Sequence, residues 1–270
     1  MTFRATIMGC GSSGGVPRVG AGWGVCDPSN PKNRRRRCSL LVERIEGTDK
    51  TSLVVDTGPD IREQLLEAKV SWLDGVLYSH EHADHTHGID DMRVLAIHQR
   101  RMIEAYADTK TEDLLRLRFG YCFETPAGSQ YPPILSLRSM EAKRSFSVQG
   151  AAGGIQVCPF TMHHGDIDAL GFRFGSLAYS SDVNGLPKSS IELLSGIDIW
   201  IVDALRFTPH PSHWSVGDAL SWIDTIKPRR AILTNLHTDL DYERLRAELP
   251  PHVEPAFDGM VIDFEGSKEW

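Results

Sequence analysis

Residues 76–88 read Val-Leu-Tyr-Ser-His-Glu-His-Ala-Asp-His-Thr-His-Gly, and this stretch decides the fold. Val76, Leu77 and Tyr78 are an apolar run that ends a buried strand. His80, His82, Asp84 and His85 then crowd together, with His87 just beyond. His80 and His82 alternate, so an extended backbone aims both to one side. Asp84 and His85 follow where the chain begins to turn, and aim at a second point close by. Imidazole and carboxylate at this spacing suit zinc, manganese or iron. A solvated, histidine-rich turn is the plain alternative, but such a turn seldom gathers H-x-H-x-D-H behind an apolar strand.

Composition bounds the rest. The 270 residues fit one domain, 1–270, with an insertion at about 94–145. Apolar content of 41% and charged content of 24% are those of a globular chain with a full core. A net charge of −7 argues against broad nucleic-acid binding. No apolar stretch is long enough to span a membrane. Five scattered cysteines without a framework spacing read as reduced, which points to the cytoplasm.

Taken in order, residues 3–9 read as a first strand. Gly9–Gly15 is a glycine-rich loop; a turn passing close to other backbone is the plainer reading, a phosphate contact the other. Arg34 to Arg37 are either a solvated face or an anion-facing patch. Ser39–Glu46 and Thr51–Asp56 read as a hairpin, and Pro59 opens a helix to about Lys69. Thr111–Phe119 reads as a helix, and His98 as a surface or packing residue. Ile155–Met162 is a strand that delivers His163 and His164. Strands 169–174 and 176–181 form a hairpin ending at Asp182. Residues 197–202 form a strand ending at Asp203. Ser215, with Asp218 three residues on, caps a helix to about Lys227. Arg230–Leu236 reads as a strand delivering His237, and 253–264 holds a last pair of short strands.

H-x-H-x-D-H resembles the signature of the metallo-β-lactamase superfamily. That resemblance implies an α/β fold, the four-layer αβ/βα sandwich, with a two-metal site at one rim. It further implies that His80, His82 and His164 hold one metal, that Asp84, His85 and His237 hold the other, and that Asp182 bridges both. Asp56 and Asp203 are expected to orient ligands from behind. The last ligand is open between alternatives: many relatives carry a histidine at the position of Asn235, and here His237 is the imidazole on offer.

A narrower resemblance runs through most of the chain. The segments Gly11-Ser-Ser-Gly-Gly-Val-Pro17, the loop 23–38, 179–187, Pro211-Ser-His213 and Phe257-Asp-Gly-Met260 are similar to the phosphoribosyl cyclic phosphate phosphodiesterases of phosphonate breakdown. These are in turn related to tRNA 3′-processing nucleases. The resemblance implies hydrolysis of a small cyclic phosphate or nucleotide-like ester by a hydroxide shared between two zinc or manganese ions, with Asp84 and His213 in the catalytic set. His213 would grip phosphate or protonate the leaving oxygen, with His210 the weaker candidate. Such relatives use several cysteines for a structural zinc in the stretch after the Trp-Gly pair; here residues 23–30 hold Cys26 alone, and no such zinc is expected. A thioesterase or lactonase on the same metals, and a non-catalytic nucleotide- or metal-binding protein, are the rival readings. A homodimer stays open.

Overall fold

The computed structural model describes residues 1–266. The first half runs β1 (Thr2–Gly9), β2 (Ser39–Glu46), β3 (Asp49–Val55), α1 (Ile61–Glu67), β4 (Gly75–Leu77), α2 (Ala83–Thr86), α3 (Met92–Gln99), β5 (Ile103–Ala107), α4 (Thr109–Phe119) and β6 (Leu135–Ser139). The second half runs β7 (Phe146–Val148), β8 (Ile155–His164), β9 (Ile167–Phe174), β10 (Leu177–Ser180), α5 (Lys188–Leu194), β11 (Ile199–Asp203), α6 (Val216–Ile226), β12 (Arg230–Thr234), α7 (Tyr242–Glu248) and β13 (Val253–Pro255). A final strand, β14 (Met260–Phe264), returns to the first half.

Among the described residues the strands make two seven-stranded sheets, ordered β14-β1-β2-β3-β4-β5-β6 and β13-β12-β11-β10-β9-β8-β7. Alternation of side chains along each strand builds the layers. Leu40 and Val42 of β2 face a core shared with Ile199 and Ile201 of β11, so the sheets pack on one another there. Leu41 points the other way, into a cluster with Ile61, Leu65 and Met92 on helices. Trp200 and Val202 likewise turn outward, to meet Val216, Ala219 and Ile223 of α6. The outcome is helices, sheet, sheet, helices: the αβ/βα sandwich. No helix among the described residues is long and apolar enough to cross a membrane.

The segment 94–145, read from sequence as an insertion, supplies β5 and β6, and both extend the first sheet in parallel with β4. The short strands in 253–264 are not partners of each other. β13 pairs with β12 in the second sheet, while β14 pairs with β1 in the first. An apolar pattern reports a strand but not which edge it will find.

One further difference bears on the site. β12 ends at Thr234 rather than Leu236. Asn235 takes a left-handed backbone, φ 61°, which asparagine tolerates better than most residues. That turn breaks the alternation which would have put Asn235 and His237 on one face.

Candidate metal centre

Parallel strands of both sheets end at one rim, where open α/β sheets expose the side chains that follow them. β3 delivers Asp56, β4 leads to Ser79 and His80, β10 to Asp182, β11 ends on Asp203 and β12 leads to Asn235. The antiparallel strand β8 brings His164. The short helix α2 holds Asp84 and His85. It sits tightly against the turn after β3, because a Cβ on Gly58 would lie 2.0 Å from the Asp84 carbonyl oxygen. Glycine is needed there for close approach.

The imidazoles converge by a common device. His85 donates Nδ1–H to Asp56 Oδ2 at 2.7 Å, and His164 donates Nδ1–H to the Ser212 carbonyl at 2.7 Å. Ser79 Oγ donates to Asp56 Oδ2 at 2.7 Å, so it accepts from His80 Nδ1 at 3.0 Å. Each ring spends its proton outward and turns Nε2 inward. There His80 Nε2 and His164 Nε2 stand 3.0 and 3.3 Å from His82 Nδ1. Three nitrogens this close are satisfied by a proton on His82 Nδ1 or by a cation among them. Burial holds the buried His80 well below the ordinary imidazole range and lowers His164 as well, which keeps both as lone-pair donors.

Asp182 divides its two oxygens. Oδ1 lies 3.2 Å from His85 Nε2, and Oδ2 lies 3.8 Å from His164 Nε2. Asp84 Oδ2 stands 3.4 Å from His85 Nε2. Burial opposes charge on His85, but Asp182, Asp84 and Asp56 outweigh it and push the ring well above its usual range. Burial likewise opposes charge on Asp182, yet His85 and the neighbouring imidazoles draw it well below. Three carboxylates around one imidazole call for more positive charge than the chain supplies. Asp182 Oδ1, Ser181 Oγ and Asp203 Oδ1 are buried without a hydrogen-bond partner. The donor set fits divalent metal: His80, His82 and His164 form one compact group, His80, His85 and Asp182 a second, and His164, Asp182 and His213 a third.

His213 stands in that third group although the sequence left it outside the ligands. Its Nδ1 lies 2.7 Å from Asp203 Oδ2 and its Nε2 3.9 Å from Asp182 Oδ2. The fully buried Asp203 is pushed up to about 7 by burial. On His213, burial is outweighed by Asp203 and Asp182, and its range rises to about 9. Position is fixed on both sides: the Trp214 amide donates to the Val183 carbonyl at 2.8 Å, and Ser215 and Asp218 form a capping box at the start of α6.

His237, expected among the ligands, belongs to none of these groups. Its ring meets Arg18 at 2.5 Å on one side and Asp239 on the other. Asn235 instead faces the centre's edge, with Nδ2 donating to the Ser181 carbonyl at 3.1 Å beside His213. The turn at Asn235 is the cause. Two residues of α4 also went unread: Lys110 pairs with Glu81 at 2.9 Å, and Arg118 donates to the Glu81 carbonyl at 2.6 Å. They brace the middle of the histidine motif from the helix that follows β5, the neighbour of β4, a contact with no local signal. Of the arginine run, Arg36 pairs with Asp258 and Glu67 and Arg37 with Asp60, so much of that charge is spent within the protein. Cys26 lies against the carbonyls of Thr238 and Leu240 and near the guanidinium of the buried Arg35.

Comparison with known proteins agrees with this geometry. A family model described as a beta-lactamase superfamily domain matches residues 51–235, which take in every residue of the three groups. A curated relative, an octanoyltransferase of Porphyromonas gingivalis (strain ATCC BAA-308 / W83), is 33% identical over 98% of this chain. The chain spans only 52% of that protein's length. Among solved structures, a diphosphatase from the PhnP family is 33% identical, with 98% of each chain covered and a TM-score of 0.88. The short form of human tRNase Z shares the fold at 17% identity, covering 96% of this chain and 98% of its own, with a TM-score of 0.63. On sequence, fold and ligand order together, the chain belongs to the beta-lactamase superfamily, in its metallo-β-lactamase fold.

Proposed function

We propose that this chain is a metal-dependent hydrolase of phosphate esters, a phosphodiesterase acting on a small cyclic or nucleotide-like ester. The observation that carries the reading is Asp182, whose oxygens divide between the His85 side and the His164 side of one cluster. His80, His82, His164 and Asp182 would hold one divalent ion, and Asp84, His85 and Asp182 a second. Zinc or manganese in these places would supply an activated water and positive charge for the phosphoryl oxygens. Asp56 keeps His80 and His85 in the tautomer that binding needs. His213 donates Nδ1–H to Asp203 and presents Nε2 to the cluster, so it holds or delivers a proton at the leaving oxygen. His237 has no place in this ligand set. Support for a phosphoester also comes from the diphosphatase of like length and fold. Five free cysteines, all buried, support a reducing compartment such as the cytoplasm.

A thioesterase or lactonase on the same metals is the second reading; the octanoyl chemistry named for the curated relative is the observation in its favour. One panel decides between them. Metal-loaded protein should turn over bis(p-nitrophenyl) phosphate faster than an acyl thioester or a lactone, and Asp182→Asn should lose nearly all of that rate. Faster turnover of the thioester or lactone would overturn the phosphodiesterase.

A further inference from the structure

The loop between β11 and α6 carries a second histidine to the mouth of the centre. His210 lies between Pro209 and Pro211. Proline fixes its own φ and holds the residue before it extended, so this stretch has little freedom. Neighbours clamp it further. Asn184 Nδ2 donates to the Pro211 carbonyl at 2.6 Å, and Asn184 Oδ1 accepts from the Gly165 amide at 3.3 Å. Gly165 has φ 60°, and a Cβ there would lie 2.9 Å from Ser212 Cβ. The turn that follows His164 therefore packs directly on the loop.

Ser212 joins His210 to the centre. Its carbonyl accepts from His164 Nδ1 at 2.7 Å. Its amide and hydroxyl lie 3.3 and 3.2 Å from His210 Nδ1. A backbone amide only donates, so Nδ1 accepts and the proton of the ring sits on Nε2. Among the described residues Nε2 has no hydrogen-bond partner, and the residue is partly exposed. The His213 ring is 5.1 Å away.

The two rings are set in opposite ways. His213 gives Nδ1–H to Asp203. On it burial is outweighed by Asp203 and Asp182, so its charged form persists up to about 9. Among the described residues no carboxylate pairs with His210; burial, then the fields of His213, Arg206, His164 and His237, holds it below its ordinary range. A second proton, on Nδ1, would also meet the Ser212 amide hydrogen. His213 can thus gain and lose a proton, while His210 keeps one on Nε2 and stays neutral. Environments that push two titratable groups apart give them different work.

We propose that His210 is a further catalytic residue, its Nε2–H donating to a non-bridging oxygen of the phosphoryl group under attack while His213 serves the leaving oxygen. This rests on the phosphoester reading above and deepens it. Charge gathers on those oxygens as phosphorus becomes five-coordinate, and donors already fixed in place meet it without reorganising. Ser212 and the two prolines fix this one.

Calorimetry on the metal-loaded protein tests it without turnover, with orthovanadate as a mimic of five-coordinate phosphorus and inorganic phosphate as the tetrahedral control. Wild type should prefer vanadate. His210→Ala should cut that preference on the order of 10- to 100-fold, and His210→Gln, which keeps an N–H, should lose less. Both should keep their metals. In turnover, His210→Ala should slow p-nitrophenyl and alkyl esters alike, on the order of 10²–10³-fold, because both share the attacked phosphoryl group. No vanadate preference in wild type, a preference unchanged in His210→Ala, or a lost metal would each overturn the proposal. So would a loss confined to the alkyl ester, which would make His210 a proton donor instead. A protein whose vanadate preference depends on His210 but which cleaves no phosphoester sinks the hydrolase alone. One that cleaves esters and keeps the preference in His210→Ala sinks this inference alone.

Discussion

His213 Nδ1 lies 2.7 Å from Asp203 Oδ2, and this pair joins the end of β11 to the loop before α6 across the rim of the centre. With Nδ1–H given to the carboxylate, only Nε2 is left to face a reacting group. Asp203→Asn keeps the size and removes the charge that fixes that tautomer. Activity on an ester with an alkyl leaving group should fall on the order of 10²–10⁴-fold, the range of general acid catalysis. Activity on a p-nitrophenyl ester should fall far less, since that leaving group needs little help. Equal losses on both would assign the pair to binding rather than proton transfer.

Metal should stabilise the fold. Loading at about 100 times the dissociation constant contributes roughly 2.7 kcal/mol, or about 5–10 °C in Tm for a chain of this size. Elemental analysis of protein purified without chelator should find about two ions per chain. In Asp182→Asn both the count and the Tm gain should shrink. A wild-type protein that holds one ion and gains nothing on reconstitution refutes the shared-carboxylate arrangement.

Asp56 has a left-handed backbone, φ 64°, and asparagine adopts that conformation as readily. Asp56→Asn therefore isolates the side chain. The carboxylate accepts from His85 Nδ1, the Ser79 amide and Ser79 Oγ. An amide cannot accept at all of these places. Metal affinity should drop on the order of 10–100-fold, read by competitive chelation, with the far-ultraviolet circular dichroism unchanged. Unaltered affinity would mean the ligands hold their orientation without it.

Gly58→Ala should act on the same centre from the backbone. Its Cβ would fall 2.0 Å from the Asp84 carbonyl oxygen, so α2 has to move. Overpacking of this kind costs about 1–3 kcal/mol. The Tm should fall, and metal titration should show one weakened site, on the Asp84–His85 side. A variant with native Tm and both sites intact would show that the turn yields freely.

The reach of sequence reasoning followed the range of the interactions. His80, His82, Asp84 and His85 are set by local backbone, a strand end running into one helical turn: His80 and His82 share one compact group and His80 and His85 another, while Asp84 stands 3.4 Å from His85 without joining either. Ser215 and Asp218 form the box that their spacing announced, because a cap is satisfied within one turn of chain. Asp203 and His213, ten residues apart, meet only because β11 and the loop after it are both packed on the second sheet.

Within this protein, then, period and motif by themselves determined the two sheets' alternation and the histidine motif. Tertiary structure decided the rest. A single left-handed residue, Asn235, turns the chain before His237, whose ring meets Arg18 and joins none of the three groups, and backbone dihedrals of that sort depend on what packs around the turn. The 94–145 segment became two strands of the first sheet, and β13 and β14 parted to different sheets. Strand partners are chosen by which edge is free and which face is buried, and neither is written in a strand's own residues.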